Sequence, residues 1–373
     1  MRAYKDKILA QFLDELPVVS LKTLLKPQTN ELRALRNALE SETGALPLLS
    51  FPRVNSFQVA DAKQAAHAIH QKIASSPAHP ILVRFYLEKL SEYELKIDLI
   101  EAVQKDDSLA IGRLTQKIHG PVTITTNKYE ELITKRLQDH KAITPKKKSK
   151  TVNAETFAKL ARQKLDAIGG QDWAIKVMKR DRIQIAYKRA GSATLRIPAD
   201  LELTKKRAEQ ILRHEIDGHA KRTINGLQSG YKILGRGLAY YKRTEEGVAT
   251  HIQKTVNSGL WDGYAASLRK EQDLQEAYNA LVEKKMRYYQ SLKKTDAKDL
   301  AKASAWRLIK RTLRGVHDPS QAGAAFFRTH IYFEGKEEVR KAIKKNPLIM
   351  NDLMIGNIGL QHVHEVKELL ATK

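Results

Sequence analysis

The chain has 373 residues, 42% of them apolar, with 66 Lys and Arg against 42 Asp and Glu and a formal charge of +24 at neutral pH. That length and apolar content support one large core, and nothing in the composition separates modules, so residues 1–50 are read as an N-terminal helical region attached to one large domain over 51–373. There is no cysteine, which excludes a disulfide framework, a thiolate metal site and a cysteine nucleophile, and leaves His and carboxylates to hold any metal.

The N-terminal stretch MRAYKDKILAQFLDELPVV carries charges through its apolar positions and lacks the unbroken apolar run of a signal peptide. No later run is long enough to span a bilayer, so a cytoplasmic protein without membrane insertion is expected. The positive charge steers acidic partners, either nucleic acid or an acidic polypeptide. An aromatic content of 6% and the lack of an aromatic-rich β platform weigh against a dedicated RNA binder. Oligomeric state has no signature here.

Most of the chain repeats apolar residues at three and four, the period of an amphipathic helix: Ala66, Ile69 and Ile73, then Ile81 to Leu90 and Leu95 to Val103 after breaks around Pro77 and Pro80. Thr144 to Thr151, TPKKKSKT, has no apolar residue and a run of like charge, and reads as an exposed loop. From Arg182 to Ile197 the pattern changes to clustered β-formers, IQIAYKR and ATLRI, on either side of Ala190-Gly191-Ser192, which predicts a hairpin. Pro198 and Asp200 end the strand, and Lys205 to Leu212 resumes a helical period running into His214. A sheet edge beside that helix offers an extended peptide a place to add as a strand. Helices follow at Asp273 to Leu292 and Lys298 to Thr312, then an irregular stretch from Arg314 to Gly335, then Lys336 to Ile343 and a last helix near Asn351 to Leu370.

The segment HEIDGH, His214 to His219, sets two His around a Glu at the end of that helical run. Two His on one turn of helix hold zinc while the Glu takes a proton from water. In the HExxH form the two His are four apart; here they are five apart. On an ideal helix they diverge by roughly 140°, so they converge only if a π-bulge absorbs the extra residue. Gly218 is the expected place, since glycine leaves helical geometry cheaply. A catalytic zinc needs a third protein ligand. Downstream, RTEEGVATH opens a helix with Thr244 as N-cap and Glu245 and Glu246 in its first turn, where acids also simply favour the helix dipole.

HEIDGH followed some thirty residues later by TEEGVA resembles the HExxxH metallopeptidases of the microtubule-associated tyrosine carboxypeptidase family, whose bacterial members carry a QEGLA motif. The resemblance covers about residues 50 to 370. It includes Gly120-Pro121, the strand Leu195-Arg196-Ile197-Pro198, and a late segment in which Arg314-Gly315 precedes Gly323, Phe326, Arg328, Tyr332 and Gly335. The chain departs from the family at Asp217 and Gly218, at Glu245 where Gln is common, and at Thr329 where the family has Asp.

The resemblance implies an α-rich α+β, zincin-like domain with a small antiparallel sheet beside the metal-bearing helix. It also implies one Zn2+ per chain held by His214, His219 and Glu246, with Glu215 as general base, and carboxypeptidase action on an aromatic C-terminal residue. Such an enzyme pairs a cation with the terminal carboxylate, and a guanidinium does so best. Arg328 is the first candidate. Tyr332, His330 and Tyr240 are available to bind substrate or to stabilise the tetrahedral oxygen, with Tyr332 preferred by the motif. His251, His317 and His330 read as structural otherwise, and Asp318 either orients a ligand imidazole or caps the turn before Pro319. Two other readings stay open: an endopeptidase or aminopeptidase using the same site, and a basic nucleic-acid or acidic-surface binder with a structural metal.

Overall fold

The computed structural model describes residues 2–17, 21–41, 45–54, 56–140, 151–187, 193–255 and 259–371. Helices dominate it, and its strands all fall between residues 151 and 204. Helix Ser56–Ala74 buries Ala66, Ile69 and Ile73, as their spacing predicts. The two apolar runs after it form one helix, Pro80–Gln104, with the proline in its first turn and the His79 side chain accepting from the Ile81 N–H. Its apolar pattern looks interrupted because the helix serves two cores. Ile81, Leu82, Phe85, Tyr86 and Leu90 enter one, and Leu99, Ala102 and Val103 enter the other. The N-terminal region joins both, through Leu9 and Ala10 in the first and Leu35 and Leu39 in the second.

A third core gathers around the sheets. Strands β1 (Thr151–Asn153), β2 (Ala174–Met178), β3 (Gln184–Tyr187), β4 (Ala193–Pro198) and β5 (Glu202–Thr204) form a two-stranded sheet, β1-β5, and a three-stranded sheet in the order β2-β4-β3. The predicted hairpin is β3 and β4, antiparallel with Ile185 opposite Leu195. Its turn, Ala190-Gly191-Ser192, lies outside the described residues. So does the basic loop up to Lys150, while Thr151 opens β1. Strand β2 was not anticipated. It pairs parallel with β4, so the sheet is mixed rather than wholly antiparallel. The central β4 is buried at five of its six positions and half-buried at Arg196, whereas β2 on the edge is mostly exposed, leaving AIKVM little apolar signal.

Thr204 at the end of β5 caps helix Lys205–Leu212, its hydroxyl accepting from the Arg207 N–H at 3.2 Å. That helix runs without a break into a π-helical segment, Arg213–Ala220, and on into helix Lys221–Gln228. The distortion expected from the five-residue spacing is therefore present, spread over eight residues. The reason for Gly218 differs from the expected one. Its backbone is not left-handed. Instead it lies against helix Lys242–Ile252, where a Cβ would stand 2.9 Å from both the Cα and the Cβ of Ala249.

Helix Lys242–Ile252 starts earlier than predicted. Tyr240 takes a left-handed φ of 56° and Tyr241 is already helical, so Thr244 lies inside the first turn and is not the N-cap. Its hydroxyl accepts from the Leu360 N–H instead. Helix Ile331–Lys345 packs along it with two glycines in the contact. A Cβ on Gly247 would reach the Gly335 carbonyl oxygen at 2.3 Å, and one on Gly335 would reach the Arg243 oxygen at 2.2 Å. This helix also begins sooner than the predicted Lys336, because Ile331 and Phe333 are buried in that packing and not in a loop. Arg243 bridges the pair, ion-paired to Glu334 at 2.7 Å and Glu338 at 2.6 Å, and donates to the Pro121 carbonyl at 2.7 Å.

The predicted last helix is divided into Ile349–Leu353 and Val363–Ala371. Between them the fully buried Arg222 donates to the carbonyls of Leu353, Gly356 and Ile358. No helix among the described residues is long and apolar enough to cross a membrane.

Because Gly218 meets backbone atoms that cannot swing aside, Gly218→Ala should destabilise the protein by about 1–3 kcal/mol, the usual cost of overpacking. Urea unfolding measures this. An unchanged midpoint would show that the two helices are free to part.

Candidate metal centre

The π-helical segment turns His214 and His219 onto one face, and helix Lys242–Ile252 brings Glu246 across to them. The two Nε2 atoms are 3.2 Å apart, and each stands 3.6 Å from Glu246 Oε2. Among the described residues these three form the one group of His and carboxylate side chains clustered closely enough to hold a metal. Four ligands at about 2.0–2.1 Å around a tetrahedral zinc stand about 3.3–3.4 Å from one another, which this triangle matches closely. Two imidazole nitrogens facing at that distance also need a cation or a proton between them, since two lone pairs repel. Glu246 Oε2 is buried with no hydrogen-bond partner, a costly state for a carboxylate that a metal would relieve. The residues present therefore fit a zinc ion.

The charges interlock. Burial alone would push the His219 imidazole down, but the adjacent Glu245 and Glu246 carboxylates outweigh it and hold the group at about 9. Burial likewise raises Glu246, and His219 and His214 more than reverse this, so its carboxyl sits below the usual range. Glu215, beside His214 on the same segment, is pushed up, first by burial and then by Glu246 and Glu245, against the opposing pull of the two imidazoles. A carboxyl raised in this way is better matched to taking and returning a proton near neutral pH.

Glu245 turns the other way from Glu246. One of its oxygens lies 3.2 Å from His219 Nδ1 and the other 2.6 Å from Lys242 Nζ. Lys242 and His219 overcome its burial and keep it ionised. Asp217 pairs with Lys164 at 2.9 Å.

Of the other predicted residues, Tyr332 feels the charge of the triad. The charge on Glu246 is the first reason its phenol is held above the ordinary value, followed by burial. The charge of Arg328 opposes that shift. Tyr240 does not join them. Its N–H donates to Glu92, and burial together with Glu92, Glu88 and Glu94 raises its phenol, so it belongs to the surroundings of helix Pro80–Gln104. His330 is buried, with Nε2 donating to the Gly120 carbonyl at 3.0 Å, and burial lowers it to about 4. That nitrogen is committed to the Gly120-Pro121 turn.

Burial, followed by Lys336 and Lys254, lowers half-buried His251. His317 Nδ1 meets the Leu49 carbonyl at 2.7 Å. Asp318 accepts from the Ser320 N–H at 2.9 Å, so it caps its turn, and the carboxylate beside the His219 imidazole is Glu245 instead.

Sequence reading missed two further arginines. The Arg314 guanidinium is lowered by burial and then by Arg328, Arg182 and Arg311, with Tyr332 opposing the shift. Arg311 is ion-paired to Asp262, but among the described residues no carboxylate pairs with Arg182, Arg314 or Arg328. Arg314 was visible only as part of a motif, and Arg182 only as the residue before the hairpin. Tyr187 at the end of edge strand β3 accepts from the Thr223 hydroxyl at 3.4 Å, tying the sheet to the helix that continues from the π segment.

The sequence model of a protein family described as microtubule-associated tyrosine carboxypeptidase matches residues 39–373. No curated protein matches the chain.

Proposed function

The chain belongs to the microtubule-associated tyrosine carboxypeptidase family, and on that premise we propose that it is a zinc-dependent carboxypeptidase acting on the C-terminal residue of a peptide or protein. The triangle formed by His214 Nε2, His219 Nε2 and Glu246 Oε2 carries this reading, because its edges suit one tetrahedral zinc with its fourth position left for water. The fold around it is read as zincin-like, with the β3–β4 pair beside the metal helix and β3 on the sheet edge, able to accept an extended peptide. Residues 51–373 are taken as the catalytic unit and the preceding helices as a layer that completes two of its cores.

When bound, zinc supplies Lewis acidity, which lowers the pKa of a water and polarises a carbonyl oxygen. Glu215 accepts the proton of the attacking water and returns it to the leaving amine, so no covalent enzyme intermediate is needed. Tyr332 donates its phenolic proton in a hydrogen bond to the oxygen that becomes negative, and its raised pKa keeps that proton on the ring. Arg328, with Arg314 and Arg182 near it, takes the terminal carboxylate. Among the described residues no carboxylate pairs with these three guanidinium groups, which suits an anion, and one matches a carboxylate with two parallel donors. Hydrolysis takes place in the cytoplasm, and acidic tails fit the formal charge of +24.

A peptide ending in tyrosine, offered once with a free carboxylate and once as the amide, tests the reading. The free peptide should lose its last residue and the amide should not; equal cleavage of both would point to an endopeptidase. Zinc-loaded wild-type protein that cleaves neither peptide but binds nucleic acid tightly in a salt-dependent way would favour the binding-protein reading. Glu215→Gln should retain zinc while turnover falls by about 10²–10⁴-fold, the contribution of a general base. Glu246→Ala should lose zinc; full affinity in that variant would remove Glu246 from the ligand set.

Zinc binding should also depend on pH. Zinc must displace the proton that His219 holds up to about 9, so apparent affinity should rise by about tenfold per pH unit below that value and level off above it. Chelator competition across pH 6.5–10 measures the slope, and a flat profile would contradict it.

A further inference from the structure

His219 and His214 differ in what lies behind them. His219 Nδ1 faces Glu245 Oε1 at 3.2 Å, while His214 Nδ1 is buried with no hydrogen-bond partner. Glu245 is itself held in place: its other oxygen takes Lys242 Nζ at 2.6 Å, and the ammonium lies 4.6 Å from the centre of the Tyr241 ring. The Glu245 side chain is only 2% exposed, so it has little room to choose another rotamer. The line Lys242, Glu245, His219 thus ends at the nitrogen that faces His214 and Glu246. Nothing comparable supports His214 among the described residues.

We propose that Glu245 is a positioning residue for the metal centre, resting on the reading of that centre as a zinc site. Its carboxylate accepts the Nδ1 proton of His219, which fixes the tautomer that leaves the Nε2 lone pair facing the metal and sets the plane of the ring. Lys242 keeps the carboxylate oriented. His219 is then the anchored ligand, and His214 the one that adjusts. Supports of this kind are commonly worth ten- to a hundredfold in metal affinity.

Two substitutions separate this role from a plain ion pair with Lys242. Glu245→Gln keeps the length of the side chain and an oxygen able to accept from Nδ1, and Lys242, 39% exposed, is free to turn towards water. Glu245→Asp keeps the charge for Lys242 but draws the acceptor back by one methylene. Zinc affinity of the full chain, measured by competition with a chromophoric chelator after circular dichroism has established folding, should fall by about ten- to a hundredfold in Glu245→Asp. Glu245→Gln should lose less than tenfold. The reverse order, with Asp tolerated and Gln impaired, would show that Glu245 serves Lys242 alone and would overturn the proposal, as would wild-type affinity in both variants. Wild-type protein unable to bind zinc would instead remove the metal reading itself, and this inference with it.

Discussion

The site depends on the contact between the π-helical segment Arg213–Ala220 and helix Lys242–Ile252. With His214 and His219 five positions apart, no regular helix presents both to one point, and the widened turn does. Widening alone is not enough, because a third ligand has to come from elsewhere in the chain. Gly218 admits Ala249 so closely that a Cβ would collide, and Glu246, one turn before Ala249, is carried to both imidazoles. The same contact brings Glu245 behind His219. One missing methyl group thus governs both faces of the ligand.

The rest of the architecture holds that contact in place. Helix Ile331–Lys345 lies on the Glu246 helix through Gly247 and Gly335, which carries Tyr332 to the neighbourhood of Glu246. Arg243 joins the two helices to the Gly120-Pro121 turn, and Glu334 receives Arg243, the Thr123 N–H and hydroxyl, and the Tyr129 hydroxyl. A buried carboxylate and guanidinium so fully partnered cost little to keep and a great deal to disturb. The two segments that carry the triad also feed different cores, Ile216 joining the sheet core and Val248 the core beneath the long Pro80–Gln104 helix. A site at the meeting of two separately packed units is a common place for a cleft.

Much of this was legible in the residues. The helical period, the β3–β4 hairpin and the need for a helical distortion near Gly218 all follow from local pattern and spacing, and each is present. What escaped depends on contacts distant in sequence. Strand β2 is half of a parallel pair whose partner lies some twenty residues on, and it is too exposed to look like a strand. Thr244 has the chemistry of an N-cap, but the chain enters its helix through Tyr240 and Tyr241. His330 and Tyr240 have the right groups for a substrate pocket, yet the fold directs the His330 ring to the Gly120 carbonyl and sets the Tyr240 phenol under the charges of Glu92, Glu88 and Glu94. The charges of Arg328 and Arg182 reach Arg314 only once segments far apart in sequence have folded together.

The central claim is that His214, His219 and Glu246 hold a single zinc ion. Crystals of the full chain, grown with zinc and measured on either side of the zinc absorption edge, test it most directly. The account predicts one anomalous peak per chain, within bonding distance of His214 Nε2, His219 Nε2 and Glu246 Oε2. A difference map without a peak there, or a zinc ion bound by other residues, would contradict it.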